Sequence, residues 1–486
     1  EKITLAAKTI TRADGGTLYL LSEDRRHLHF EIVHTDSLNI VFGGTSGNPV
    51  SGKFPDLPLY RDDGSANDTL VAVHAALSGK TVNIADAYVA RGFDFSGTRK
   101  FDERTGYRSQ SFLTVPMRNH EGEIIGVLQL INAQMPEHDV VVPFSEADQR
   151  LAESLASQAA IALTNRQLLH QLEVLFESFI RLINSAIDDK SPYTGEHCQR
   201  VPELTMMLAE AAHETGEGPL ADFRLTDRDR YELRIAALLH DCGKVTTPVH
   251  VVDKATKLQT LFDRIELIDT RFELLRRDAE IRMLRQVAAG VPGERAEAEF
   301  REFVANMEVD RSFLHQANVG SERMSDDDID RVRAIAAGYR WQEASGVEVD
   351  FLSADELENL CIRAGTLTQK ERQTINYHVS ATIRMLDQLP WPRHLKNVPE
   401  YAGGHHERMD GKGYPRGLKR EQMSWQARMM GIADIFEALT ARDRPYKPGM
   451  TLSQALGILE KFRENGHNDP HNQDVYISSE INRKYA

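Results

Sequence analysis

The hydrophobic pattern changes period about a third of the way along the chain. Early apolar residues alternate with polar ones in "TLYLLS" (17–22) and "LHFEIV" (28–33), parted by a charged turn. They alternate again in "SFLTVPMRN" (111–119) and "GEIIGVLQLIN" (122–132), which flank His120-Glu121-Gly122. Alternation places successive side chains on opposite faces of a strand, so these segments predict antiparallel hairpins. The opening "EKITLAAKTI" reads as a helix joined partway along, so an anchor upstream of Glu1 would lie outside this sequence. Helical spacing returns at "PFSEADQRLAESLASQAAIAL", with Ser145 and Asp148 as a capping box. The expectation for 1–165 is an α+β domain, an antiparallel sheet with helices on one side.

From about 150 to 187 no helix breaker interrupts the chain. Leu155, Ala162, Leu169, Phe176 and Ile183 recur every seven residues, joined by Leu172, Phe179 and Ala186. A sustained seven-residue repeat predicts a coiled-coil seam. Residues 166–188 are therefore expected to form a connecting signalling helix that makes a parallel homodimer. After Asp189 apolar residues fall at helical spacing, as in "YELRIAALLH" (231–240) and "WQARMMGIADIFEALT" (425–440), which predicts an all-α domain over 189–486. Within it, about 259–350 is highly charged, and "RFELLRRDAEIRMLRQ" reads as a solvated or two-sided helix. This stretch is expected to pack on the surface rather than to carry chemistry.

The 486 residues exceed what one core usually serves, and 41% hydrophobic with 27% charged residues suits a globular protein. No apolar run approaches a bilayer span and no secretory pattern opens the chain, so no membrane segment is expected. Cys198, Cys242 and Cys361 are odd in number and widely spaced, which argues against a disulfide framework and for the cytoplasm. Cys198 and Cys242 read as packing residues. A formal net charge of −15 argues against a nucleic-acid polymer as ligand, and leaves room for a small phosphorylated substrate.

Candidate chemistry collects in the second half. "YTGEHCQRV" offers His197, "LLHDCGK" offers His240, Asp241 and Lys244, and "INYHVSATIRML" offers His378. "GGHHERMDGKGYP" adds His405 and His406, while "GIADIF" places Asp434 inside an apolar helix, costly unless it is paired or metal-bound. The flexible Gly403-Gly404 allows two adjacent histidines to approach one cluster from irregular backbone. Imidazoles and carboxylates suit transition metals, Asp is a natural bridge, and two ions can share a hydroxide and clamp a phosphoryl group. The dipeptide His138-Asp139 reads as a solvated loop.

His197 with Arg200, "HDCGK" (240–244), His378, "HHERMDGKGYP" (405–415), Asp434 and "DRPYK" (443–447) together resemble the HD-GYP phosphodiesterases of the HD superfamily. The first half is similar to a GAF domain through "GTLYLL", "VNIADAY", "FDERTGYRSQSFLTVPM" and "GVLQLIN". The resemblance implies that His197, His240, Asp241 and Asp434 hold one divalent metal. Asp241 would bridge to a second, completed by His378, His405 and His406, with iron or manganese as the ions. A bridging hydroxide would attack phosphorus in line while Lys244 neutralises charge on the phosphoryl oxygens. The implied substrate is cyclic di-GMP, the product pGpG, with GMP as a possible end point. Arg444, Lys447 and Tyr414 would contact substrate. Gly413, Tyr414 and Pro415 would shape the site and meet GGDEF-type partner domains.

The chain departs from that pattern in places. Members with a third metal carry a glutamate four residues before the first histidine. Here Tyr193 stands there and Glu196 adjoins His197, so a dinuclear centre is expected. "DKATKL" (253–258) and "GTLTQKERQTINYH" (365–378), adjacent in the simplest members, are parted by the charged stretch. In the first half Asn132, Phe144 and Asp148 match the cyclic-nucleotide GAF pattern, but Ala133 and Gln149 replace its lysine and glutamate, so no cyclic-nucleotide ligand follows. Two alternatives stand beside the phosphodiesterase: a non-catalytic cyclic-dinucleotide-binding module, and an HD hydrolase of another nucleotide.

Overall fold

In the computed structural model, which describes residues 1–135, 138–190, 197–320, 324–441, 449–479 and 481, the alternating segments become strands of one antiparallel sheet. These are β1 (Ala13–Leu21), β2 (His27–Thr35), β3 (Ile40–Gly43), β4 (Leu57–Pro58), β5 (Val82–Ile84), β6 (Phe112–Arg118), β7 (Ile124–Met135) and β8 (His138–Val142). Their order is β3-β2-β1-β7-β6-β5, with β4 beside β2 and β8 beside β7. The β6–β7 hairpin turns where Asn119 Oδ1 accepts from the amides of Glu121 and Glu123, and Gly122 takes a positive φ of 81°. His138-Asp139 opens a strand rather than lying in a loop.

Helices cover both faces of this sheet, not one. Leu18, Leu113, Val115, Leu128 and Leu130 pack with Ala7 of the helix Lys2–Ile10 and with Ala152, Ala156 and Ala160. Tyr19, Leu28 and Val127 instead face Ala72, Val73 and Ala76 of the helix Val71–Ser78. The reason lies in β1 and β7, which carry apolar residues at neighbouring positions and so must be buried on both sides.

The helix Glu146–Lys190 runs unbroken for 45 residues. Its start is the expected box: Asp148 N donates to Ser145 Oγ at 3.2 Å and Ser145 N to the Asp148 carboxylate at 2.9 Å. The expected seam is split by burial. Leu155 packs against the sheet core and Phe176 against the helical core, whereas Leu169, Leu172, Phe179 and Ile183 are exposed. Ile161, Leu168, Leu175 and Leu182 are exposed as well, so the open apolar surface takes in the positions one residue earlier beside Leu169, Leu172, Phe179 and Ile183 of the expected seam. Contacts divide the chain into two units within this helix, Glu1–Leu175 and Phe176–Ala486.

The second unit is built on the helices His197–Glu214, Asp227–Leu239, Gln369–Leu386, Val398–Gly403, Trp425–Thr440, Leu452–Glu464 and Pro470–Ser478. Leu204, Leu208, Leu233, Ala236, Met430, Ala433, Phe436 and Tyr476 fill its core. The charged stretch has a core of its own, around Ile268, Phe272, Met307, Leu314, Val332 and Phe351. The two-sided reading describes its helix Ile265–Ala288, where Ile268, Phe272, Leu275 and Ala279 point inward and Leu267, Leu274, Ile281 and Leu284 outward. A short antiparallel hairpin, Arg340–Gln342 with Glu348–Asp350, interrupts the otherwise helical pattern.

Candidate metal centre

Capped helices deliver the histidines and acids to one place. The helix Asp227–Leu239 starts in a Thr226/Asp229 capping box and ends immediately before His240. The helix Gln369–Leu386 starts in a Thr368/Glu371 box and carries His378 on its buried side. Ser424 caps Trp425–Thr440, which carries Asp434. His197 opens its helix, and His405 and His406 occupy the turn after Val398–Gly403. Two donor groups result, each with ligand-capable atoms within 4.8 Å of one another: His197, His240, Asp241 and Asp434, and His378, His405 and His406.

Asp241 stands between them. Its Oδ2 lies 3.1 Å from His197 Nε2 and 3.2 Å from His240 Nε2, while its Oδ1 lies 3.2 Å from His378 Nε2 and 3.8 Å from His405 Nε2. Lys244 Nζ sits 2.5 Å from Oδ2, and Asp434 Oδ1 is 3.2 Å from His197 Nε2.

The outer ring nitrogens fix the tautomers. His240 Nδ1 donates to Ala237 O at 2.7 Å, His378 Nδ1 to Ile375 O at 2.6 Å and His405 Nδ1 to Ala402 O at 2.6 Å. A carbonyl only accepts, so each Nδ1 bears the proton and each Nε2 presents a lone pair inward. The Nε2 atoms of His240, His378 and His405 and Oδ1 of Asp241 are buried with no hydrogen-bond partner. Orphaned acceptors are costly, and four converging on one volume fit divalent cations.

Electrostatics agree with that donor set. Burial opposes charge on Asp241, but Lys244 and the adjoining His240 and His197 more than offset it and hold its carboxyl far below the usual range. Asp434 is likewise held low, burial being outweighed by His197 and the other histidines. Burial, with the neighbouring His406 and His240, pushes His405 far down, and burial takes His406 to about 4, so both stay neutral. His197 goes the other way. Burial and Lys244 oppose its charge, yet hydrogen bonding to Asp241, Asp434 and Glu437 raises it to about 10.

Three supporting residues escaped the sequence reading. Glu437, almost fully buried, bonds His197 Nδ1 and takes Arg200 Nε at 2.7 Å. Its signal was available, since Glu437 follows Asp434 by three residues on one helix face. Thr382 Oγ1 accepts from Gly243 N at 2.9 Å and donates to His240 O at 3.2 Å, tying the His-Asp turn to the helix of His378. Gly243 is required there, because a Cβ would lie 2.0 Å from His378 O. Glu407 accepts the amides of Arg416 at 2.7 Å and Leu418 at 2.8 Å and so closes the Gly-Tyr-Pro loop. Within that loop Tyr414 stacks on His406 with centroids 4.9 Å apart. A Cβ on Gly413 would meet Arg408 N at 2.4 Å. Tyr193, Glu196, Arg444 and Lys447 lie outside the described residues.

Comparison with known proteins separates the two halves. The GAF domain family matches residues 1–163, and HD domain families match 194–302 and 354–471. A 3'3'-cGAMP-specific phosphodiesterase 3 of Vibrio cholerae is 37% identical over 20% of this chain and 21% of its own length. The cyclic di-GMP phosphodiesterase PA4108 of Pseudomonas aeruginosa is 39% identical over 22% of this chain and 25% of its own length. The chain thus spans about a quarter of the length of these curated relatives. A solved GAF domain/HD domain protein of Geobacter sulfurreducens aligns at 17% identity and a TM-score of 0.24, over 34% of this chain and 90% of that one. The chain carries a GAF domain at its N-terminal end followed by an HD domain.

Proposed function

We propose that this chain is a metal-dependent phosphodiesterase that opens cyclic di-GMP to linear pGpG, with GMP as a possible end point. The observation that carries the reading is the division of Asp241, whose two oxygens face two separate histidine groups while Lys244 holds the same carboxylate. Two divalent ions held there, iron first and manganese second, would supply Lewis-acid polarisation of a phosphoryl oxygen and acidify a water.

The chain's own residues do the rest. Asp241 and Asp434 remain anionic and offset cationic charge in a buried volume. Lys244 is held cationic by Asp241 despite its burial and stands ready to neutralise charge on a phosphoryl oxygen. Tyr414, stacked on His406, forms one wall of the site. The names of the relatives support the substrate class, cyclic dinucleotides, and two of them carry 3'3'-cGAMP specificity. That gives 3'3'-cGAMP as the second reading.

The test is turnover of cyclic di-GMP, 3'3'-cGAMP and cyclic AMP by anaerobically purified chain with its metal content measured. Cyclic di-GMP is expected to be cleaved fastest; faster 3'3'-cGAMP turnover favours the second reading, and no turnover by metal-replete chain overturns both. We further propose that the GAF domain regulates the site and that the helix Glu146–Lys190 pairs two chains along its exposed apolar stripe.

A further inference from the structure

The end of the long helix grips the segment that carries His240, Asp241 and Lys244. The helix Asp227–Leu239 and the 3-10 turn Cys242–Thr246 flank Asp241, and at the end of the turn the amide of Thr247 donates to Lys244 O at 3.0 Å. Two side chains of the long helix supply donors. Asn184 Nδ2 donates to Leu238 O at 2.8 Å, just before His240. Lys190 Nζ donates to Val245 O at 2.5 Å and Thr247 O at 2.6 Å, with Lys244 O at 3.5 Å.

Neither residue is placed as packing alone would place it. Asn184 is buried in a stripe whose other members, Ile180 and Ile187, are apolar. A polar side chain there costs about 1–3 kcal/mol where a hydrogen bond is left unmade. Asn184 makes its Nδ2 bond to Leu238 O, while its Oδ1 is buried without a partner among the described residues. Lys190 directs its cation onto carbonyls at the C-terminal end of a helical turn, where the partial charge is negative. The two contacts bracket the segment 240–244 from both sides.

We propose that Asn184 and Lys190 are positioning residues for Asp241 and Lys244, and that the long helix, through them, sets the geometry of the metal and phosphate site. Neither touches substrate; each acts through backbone carbonyls. A small displacement of the helix end shifts Lys244 against Asp241 and thereby tunes turnover. Its catalytic part rests on the phosphodiesterase reading.

The experiment compares the full chain with Lys190→Met and Asn184→Leu, and with Lys190→Arg, which keeps a donor. Two readouts are taken: amide hydrogen exchange of the metal-free chain over 238–247, and kcat and KM for cyclic di-GMP with Mn2+ added. Expected are exchange at least 10-fold faster at 243–247 in Lys190→Met, with 204–212 unchanged, and kcat down about 10-fold at constant KM. Lys190→Arg is expected to recover most of both. Wild-type exchange at 243–247 in Lys190→Met and at 238–243 in Asn184→Leu overturns the proposal. Should the wild type cleave no cyclic dinucleotide, the phosphodiesterase reading falls, and exchange alone decides the positioning role. Should Lys190→Met not fold, Lys190→Gln carries the same comparison.

Discussion

At the scale of single residues the site is a balance of buried charge around Asp241. Asp241→Asn leaves volume unchanged but weakens the carboxylate that, among the described residues, faces both histidine groups. It is expected to cut phosphodiesterase turnover more than 1000-fold with an unchanged circular-dichroism spectrum, and to lower the metal found by elemental analysis. Glu437→Gln removes the anion that orients His197, and outer partners of this kind typically carry about 10–100-fold in metal affinity. Isothermal titration with Mn2+ measures that loss. His197 also gives a pH dependence. In the metal-free chain it is protonated up to about 10, yet a ligand imidazole must be neutral, so metal binding expels a proton. Metal affinity is therefore expected to rise with pH through neutrality, by up to tenfold per unit, read as proton release in buffers of different ionisation enthalpy. His406, neutral above about 4, adds nothing to that slope. The donor types were legible from "HDCGK", "HHERMDGKGYP" and "GIADIF", because acids and paired histidines in apolar surroundings need a chemical reason. Thr382 was not legible, since a helical threonine carries no signal until Gly243 is packed against it.

At the scale of elements, two features stand against ordinary burial. Leu172 is 60% and Phe179 55% exposed on the long helix, with Leu168, Leu175 and Leu182 alongside. Each such side chain stands to gain about 1.5–3 kcal/mol from full burial, enough together to favour a second helix. Leu175→Glu combined with Phe179→Glu is expected to shift the chain from dimer to monomer in light-scattering chromatography. The other feature is Lys257, 1% exposed, whose amine among the described residues meets Met324 Sδ at 3.2 Å and Leu360 O at 3.1 Å. Burial drives it from 10.5 down to about 8. Between those values the unfolded chain binds the proton that the folded chain has lost, so stability rises with pH across that window. Lys257→Met is expected to raise stability at pH 7, by at most about 3 kcal/mol, and to abolish that rise in urea titrations followed by fluorescence.

At the scale of the whole molecule, two units with separate cores share one chain. Ligands stabilise the unit that binds them. Calorimetry is expected to resolve at least two transitions, and Mn2+ to raise only the one belonging to 176–486. By itself the sequence determined the change from two-residue to helical periodicity, four of the strands, the Ser145/Asp148 capping box, and the inventory of metal-capable donors, because these are set by neighbours within a few residues. Only the tertiary structure decided that helices cover both sheet faces and that the exposed apolar surface of the long helix takes in Leu168, Leu175 and Leu182 beside the expected seam. It also decided that His197 is oriented by Glu437, 240 positions away, and that two histidine groups share one carboxylate. Those outcomes depend on which helix faces meet, and periodicity along a chain records each face without naming its partner.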